Sequence, residues 1–215
     1  MAGNLEVVKK HAANGVRFID ENNVYIDETV VIGSGTVIEP NVVLRGETVI
    51  GQNATIGFCS ELTNAKIADN VTIRHSVICD SEVGAGTNVG PFAYIRPNCC
   101  VGQNVKVGDF VEIKNSSIGD GTKLAHLTYV GDADVGQNIN FGCGTVVVNY
   151  DGKNKHRTVI EDNAFIGCNT NLVSPVKVGK NAYTAAGSTI TEDVPADTLA
   201  IARARQVVKD NWKRK

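Results

Sequence analysis

Residues 26–62 read IDETVVIGSGTVIEPNVVLRGETVIGQNATIGFCSEL, and an aliphatic residue returns at every sixth position: Ile26, Ile32, Ile38, Leu44, Ile50, Ile56 and Leu62. An amphipathic helix would need a period of 3.6, and a half-buried strand a period of two. A period of six fits a short strand followed by a corner, over and over. The residue two places before each aliphatic is small or β-branched (Val30, Thr36, Val42, Thr48, Ala54). The residue after it is often glycine (Gly33, Gly51, Gly57, Gly90, Gly102, Gly108), expected at corners because glycine tolerates positive φ. After one-residue slips the column resumes at Ile67 and Ile73, then runs by sixes from Val83 to Ile113. Further runs are Ile118, Leu124, Val130; Val135, Phe141, Val147; and Ile160 to Ile190. Stacked coils would bury this column and satisfy backbone groups from coil to coil. The prediction is an all-β fold, a parallel β-helix of roughly ten coils over residues 24–200.

Three segments stand outside the period. Residues 4–14 read as a short helix closed by Gly15, within a linker spanning 1–23. Residues 148–159, VNYDGKNKHRTV, form a polar loop ejected from the prism. Residues 201–215 are a basic tail with helical potential. Helix and tail are each candidates to cap an open end, where unpaired strand edges invite association.

Composition narrows the function classes. The 215 residues carry 21 Lys+Arg against 23 Asp+Glu, so no bulk attraction to nucleic acid or membrane is expected. There is no apolar leader and no run long enough to span a bilayer, which points to the cytoplasm. The six cysteines (Cys59, Cys79, Cys99, Cys100, Cys143, Cys168) form no CxxC pair and read as reduced, small and mostly buried, without disulfides or structural zinc.

Chemistry is sought where the repeat carries residues that packing does not need: Arg96, Lys114, His126, Tyr129, Asn140, Asn149, Tyr150 and Lys155. Arg96 and Lys114 are eighteen residues apart, one coil, and so should stack as a two-cation clamp for a phosphate monoester. Their plain alternative is outward-facing surface charge. His126 lies two hexads beyond Lys114, on another face, so the two could converge only across a corner or through a neighbouring subunit. A near-neutral imidazole suits the removal of a proton from an ammonium that must become a nucleophile. A solvated surface histidine is the bland reading, and His11 and His75 are left there. Lys155 sits in the ejected loop, either a solvated excursion or an arm toward a neighbour.

The stretches VGPFAYIRP, VGDFVEIKNS, HLTYVGDADVGQNINFGCGT, VNYDGKNKHRT and AAGSTIT resemble the acetyltransferase half of the bacterial bifunctional N-acetylglucosamine-1-phosphate uridyltransferase/glucosamine-1-phosphate acetyltransferase, a hexapeptide-repeat transferase family. The likeness runs from about residue 15 to residue 206. It implies a left-handed helix, a hand that runs against the usual crossover preference. It implies His126 as catalytic base, with Arg96, Lys114, Tyr129, Asn140 and Lys155 binding glucosamine-1-phosphate. Acetyl-CoA would lie between the subunits of a homotrimer, against Cys143, Asn149, Tyr150, Cys168, Ala186 and Arg203. No metal is implied for acetyl transfer. Cys143 and Cys168 stand where the family usually has alanine and serine. A direct attack of the amine on the thioester follows, with a main-chain N–H near Gly142 to Gly144 facing the oxyanion. An acyl-enzyme on Cys143 lacks a neighbouring base in sequence. The nucleotide-binding half of the family is expected to be absent from this chain. The remaining alternative is a non-catalytic trimerisation or regulatory β-helix, as appended to sugar nucleotidyltransferases; a metal-dependent hydratase would need more clustered histidines.

Overall fold

The computed structural model describes residues 2–213. It is a left-handed parallel β-helix of about ten turns with one short N-terminal helix. Short strands, two to four residues each, succeed one another around three faces. Every third strand pairs in parallel with its predecessor, giving sheets of 11, 10 and 9 strands. The first face starts at Arg17–Phe18, the second at Val24–Ile26 and the third at Val31–Ile32. The period-six aliphatics occupy the inward position on every face: Ile26, Ile32, Ile38, Leu44 and their successors are all buried. Ile78, skipped by the sequence register, completes the column, fully buried.

The small residues two places earlier are buried as well, and their hydroxyls tie coils together. Thr36 Oγ1 donates to the Gly51 carbonyl at 2.8 Å and accepts from the Ala54 N–H at 3.0 Å. Gly90 does take positive φ (96°), but the other glycines named after the aliphatics are there for a different reason from the one expected. Gly108 does not have positive φ; a Cβ on it would strike the backbone carbonyl of Ala125 in the next coil. Close approach between coils, rather than turning freedom, demands glycine. The left-handed corner conformation falls mostly to asparagine, as at Asn53 (φ 54°), Asn98 (φ 64°) and Asn138 (φ 55°), whose short polar side chain tolerates it.

Coiling begins earlier than the period indicated: Arg17–Phe18 pairs with Val37–Ile38. The helix Ala2–Ala13 closes the N-terminal end, burying Val7, Val8 and also His11, which is therefore not the solvated surface histidine expected: it lies on the helix face turned to the prism. Asn4 meets the exposed strand edge in both senses, donating to the Val24 carbonyl and accepting from the Ile26 N–H, each at 2.8 Å. The tail differs from expectation. It forms no helix over 201–213, and Val207, Val208 and Trp212 stay exposed. Its first residues are held extended on the last coil instead, with the Thr189 N–H donating to the Ala202 carbonyl at 3.0 Å and the Ala202 N–H donating to Ser188 Oγ at 3.1 Å. The C-terminal end is closed instead by the strand Leu199–Ala200 laid along Tyr183–Thr184. Among the described residues no helix is long and apolar enough to cross a membrane.

Candidate active site

Two corners carry the chemistry. At the corner between the second and third faces, Arg96 lies directly below Lys114: Ile95 pairs with Ile113, and the Arg96 N–H donates to the Ile113 carbonyl at 2.8 Å. The eighteen-residue spacing thus does stack the two cations. Arg96 pairs with Glu112 at 2.7 Å and sits 5.8 Å from the Tyr94 ring centre. Lys114 Nζ lies 3.6 Å from Asp132 Oδ2. The Lys155 amine adjoins Lys114. Their hydrogen bond pushes Lys114 up, against its burial, while the same bond and the charge of Lys114 pull Lys155 below an ordinary lysine. Arg96 adds to that repulsion. Three cations therefore converge, and one of them, Lys155, holds its proton less firmly than an ordinary lysine.

Lys155 reaches this corner because the ejected segment folds back. It is a tight hairpin, with Tyr150 bridged to Lys155 in antiparallel fashion. The Asp151 carboxylate accepts from the Asn154 N–H at 2.6 Å, meets His156 Nε2 at 2.7 Å and accepts from the Lys153 N–H at 2.7 Å, and those bonds hold it well below the usual carboxylate range. At its far end Arg157 clamps Asp134, with Nε to Oδ2 at 2.6 Å, and donates to the Asn115 carbonyl at 3.2 Å. The sequence left solvated excursion and outward arm both open; the hairpin docks on its own prism.

At the corner between the first and second faces, His126 ends the strand Lys123–His126. Its Nδ1 meets Asp109 Oδ1, one coil below, at 2.6 Å. That bond draws Asp109 below the ordinary carboxylate range and leaves Nε2 as the nitrogen free to take a proton. The pairing of Leu124 with Phe141 stacks Cys143 above His126; Phe141 with Ile166 stacks Cys168 above Cys143. Ile166 with Thr184 then sets Ala186 above Cys168. Arg203 follows, its Cδ 3.8 Å from where a Cβ on Gly187 would lie. The Gly142 and Gly144 N–H groups are spent on the Ile166 and Leu127 carbonyls. Among the described residues no acceptor meets the Cys143 N–H, the one of these three groups left to donate. Down the same corner runs an exposed ladder, Phe58, His75, Phe92 and Phe110, with ring centres 5.4 to 5.5 Å apart and Leu127 above it.

Within one chain, then, Arg96, Lys114 and Lys155 come together, and so do His126, Cys143, Cys168, Ala186 and Arg203. The two groups occupy opposite edges of the second face. Tyr129 crosses that face from the His126 edge toward Gly131, above Lys114. Asn149 roots the hairpin at the cation corner and Tyr150 lies on it, both away from the Cys143 column. Asn140 begins its strand at the far edge of the first face and joins neither group. Sequence reasoning missed Asp109, seventeen residues before His126 across a one-residue slip. It also missed Asn115 and Asp132, which read as ordinary corner residues. Among the described residues no three His, Cys, Asp or Glu side chains gather as a metal site. The cysteines are less buried than expected: Cys99 alone lies inside, while Cys59, Cys100 and Cys168 sit at exposed positions outside the inward column.

The hexapeptide repeat has counterparts among known proteins. A family model described as "Bacterial transferase hexapeptide (six repeats)" matches residues 80–115 and 157–192, and one described as "GMPPB C-terminal domain" matches residues 20–87. The bifunctional protein GlmU of Clostridium kluyveri is 60% identical over 204 residues, covering 95% of this chain and 45% of the relative. That of Acetivibrio thermocellus is 58% identical over 206 residues, covering 96% and 45%. The chain spans less than half the length of these relatives. Among solved structures, the Arabidopsis UDP-N-acetylglucosamine acyltransferase superposes with a TM-score of 0.59 at 19% identity, over 87% of this chain and 66% of that one. At that identity it shows the fold alone.

Proposed function

The chain belongs to the bacterial hexapeptide transferases, in the line of the C-terminal region of GlmU, and on that premise we propose that it transfers an acetyl group from acetyl-CoA to the amine of glucosamine-1-phosphate. The observation that carries the reading is the pairing of an oriented base with a preformed anion clamp: His126 held by Asp109, and three cations, Arg96, Lys114 and Lys155, converging against two carboxylates, Glu112 and Asp132.

In this mechanism His126 Nε2 takes a proton from the C2 ammonium. The amine attacks the thioester carbonyl, the C–N bond forms, and the C–S bond breaks. The nitrogen gives up its second proton as it becomes the amide, and the departing sulfur takes up that proton as the CoA thiol. The Cys143 N–H faces the oxyanion, and the column Cys143, Cys168, Ala186, Arg203 lines the co-substrate. Tyr129 orients the sugar. Asn149, Tyr150 and Asn140 are assigned from the resemblance to the co-substrate and the acceptor. Proton removal is assigned to His126, so turnover should not require added Mg²⁺.

The two groups sit at opposite edges of one face, on the order of 15 Å apart for a strand and corner at ~3.3 Å per residue. One chain therefore does not close the site. A homotrimer would set one chain's His126 edge against its neighbour's cation edge, and the exposed Phe58–Phe110 ladder runs along the edge that must pack. Lys155, docked beside its own Lys114, would then serve the neighbour's His126.

The test is thiol release from acetyl-CoA with a panel of amino sugars. Release with glucosamine-1-phosphate, and little with glucosamine, is expected. No release with any amine would leave the non-catalytic β-helix as the better reading. Subunit mixing tests the shared site: refolded mixtures of His126→Ala and Lys155→Ala should exceed both parents in activity. Activity at the parental level would place both residues in one chain's site.

A further inference from the structure

Asp132 is the one buried carboxylate among the described residues. Its position is odd for a structural corner. The corner needs positive φ (Asp132, φ 50°), but asparagine meets that need one coil below, at Asn115 (φ 46°), and two below, at Asn98. Burial alone acts to raise the Asp132 pKa. Hydrogen bonds from Asn115 and Asn149, with the charges of Lys114 and Lys155, outweigh it, and the group stays ionised. A charge has therefore been kept where an amide would satisfy the backbone.

Its contacts say what the charge holds. Asn115 Nδ2 donates to Oδ1 at 2.5 Å, Asn149 Nδ2 donates to Oδ2, and Lys114 Nζ lies 3.6 Å from that same oxygen. Through its main chain, Asp132 N–H donates to the Lys114 carbonyl at 2.9 Å, and the Thr158 N–H donates to the Asp132 carbonyl at 3.1 Å. Asn149 and Thr158 are the two roots of the hairpin that carries Lys155. Asp132 thus touches the strand that ends in Lys114 and both ends of the segment that presents Lys155. Two ammonium groups side by side repel strongly where water is thin, and a partly buried opposite charge reduces that cost.

We propose that Asp132 is the positioning residue of the anion subsite, fixing Lys114 and the root of the hairpin so that Lys114 and Lys155 meet the acceptor's phosphate as a preformed pair. This rests on the acetyl-transfer reading for its substrate, but not for its binding test. It touches neither the reacting amine nor the thioester, so its effect should fall on acceptor binding and spare the chemical step.

The experiment uses the full chain with Asp132→Asn. Expected is a rise of about tenfold or more in KM for glucosamine-1-phosphate, with kcat within about threefold of wild type. In a Lys155→Met background the same substitution should add less, because one of the two ammonium groups it positions is gone. Inorganic phosphate, titrated by calorimetry, should bind the wild type and bind Asp132→Asn more weakly. If Asp132→Asn does not fold, Asn115→Gly removes one donor to the carboxylate at a corner that suits glycine, and should show the same split at smaller size. Should the wild type release no thiol, the substrate assignment fails while phosphate binding still decides the role of Asp132. Unchanged KM and phosphate binding in Asp132→Asn would overturn the proposal. So would an equal loss in both backgrounds, a fall in kcat alone, or a wild type that binds no phosphate.

Discussion

Gly131 offers a sharp test of how the second face is built. It pairs with Lys114 in the coil below, and the Tyr129 phenol leans across it. A Cβ at 131 would lie 2.7 Å from both Tyr129 Cζ and Asn149 Nδ2 and closer still to the phenol oxygen. Carbon contacts settle at about 3.5–4.0 Å, so Gly131→Ala must push the phenol and the amide aside by roughly 1 Å. Both obstacles are side chains, and Gly131 does not have positive φ, so the backbone has no reason to break. Overpacking of this kind costs about 1–3 kcal/mol. A misplacement of about 1 Å can cost a hundredfold in rate. The expected result is therefore a folded protein, a few degrees less stable, whose kcat/KM for the acceptor falls by ~10–100-fold. Thermal melting beside steady-state thiol release reads both quantities. Gly108→Ala is the contrast, because its Cβ meets the Ala125 backbone, which cannot rotate away; it should lose far more stability. Wild-type kinetics in Gly131→Ala, or a melt as damaged as that of Gly108→Ala, would refute the placement of Tyr129 across the face.

Three further outcomes follow from the same geometry. His126→Ala should keep its fold and its affinity for acetyl-CoA yet lose at least ~10²-fold in kcat, and Asp109→Asn should lose a smaller part of that, read as single-turnover rates; full turnover in His126→Ala would remove it from the chemistry. Leu124→Ala, at a fully buried site one coil above Val107, should cost about 2–5 kcal/mol in denaturant unfolding, whereas a loss under ~1 kcal/mol would mean the column is not close-packed. Asp109, Asp132, Asp134, Asp151 and Glu161 are all held below their ordinary pKa by hydrogen-bonding or charged partners. A depressed folded pKa gives stability that is complete above the unfolded value and lost as pH falls through the folded one. Near-UV circular dichroism should therefore show stability falling below about pH 4, and a flat profile to pH 2 would contradict those partners.

The column from Ile26 to Ile190 was legible because a coil repeats its inward position at fixed spacing, and any polar intruder would be buried. Arg96 over Lys114 was legible for the same reason. Asp109 beneath His126 was not, because the one-residue slip between Ile113 and Ile118 shortens that coil and breaks the eighteen-residue count. The hand of the coil is not encoded in a period at all. Arg17–Phe18 escaped notice because the first coil rests on a helix rather than on another coil, and it carries no full hexad. The fold-back of Lys155 depends on Arg157 reaching Asp134, a contact between distant residues with no local signature. The corner glycines were recognised, but for the wrong reason, since close approach of a neighbouring coil is invisible until the coils are stacked.

The stacked corner that bears Cys143, Cys168, Ala186 and Arg203 is also a scale. Adjacent coils are spaced about 4.8 Å apart, so these four residues mark off three intervals, on the order of 14 Å, along the axis. Slips and insertions occur at corners and between faces, and they leave that interval untouched. A ligand lying along the axis is thereby measured in whole coils. Removing one coil between residues 143 and 203 would shorten the scale by a full division, and no side-chain change could restore it. Lengthening the prism below Asp109 would leave the scale as it is.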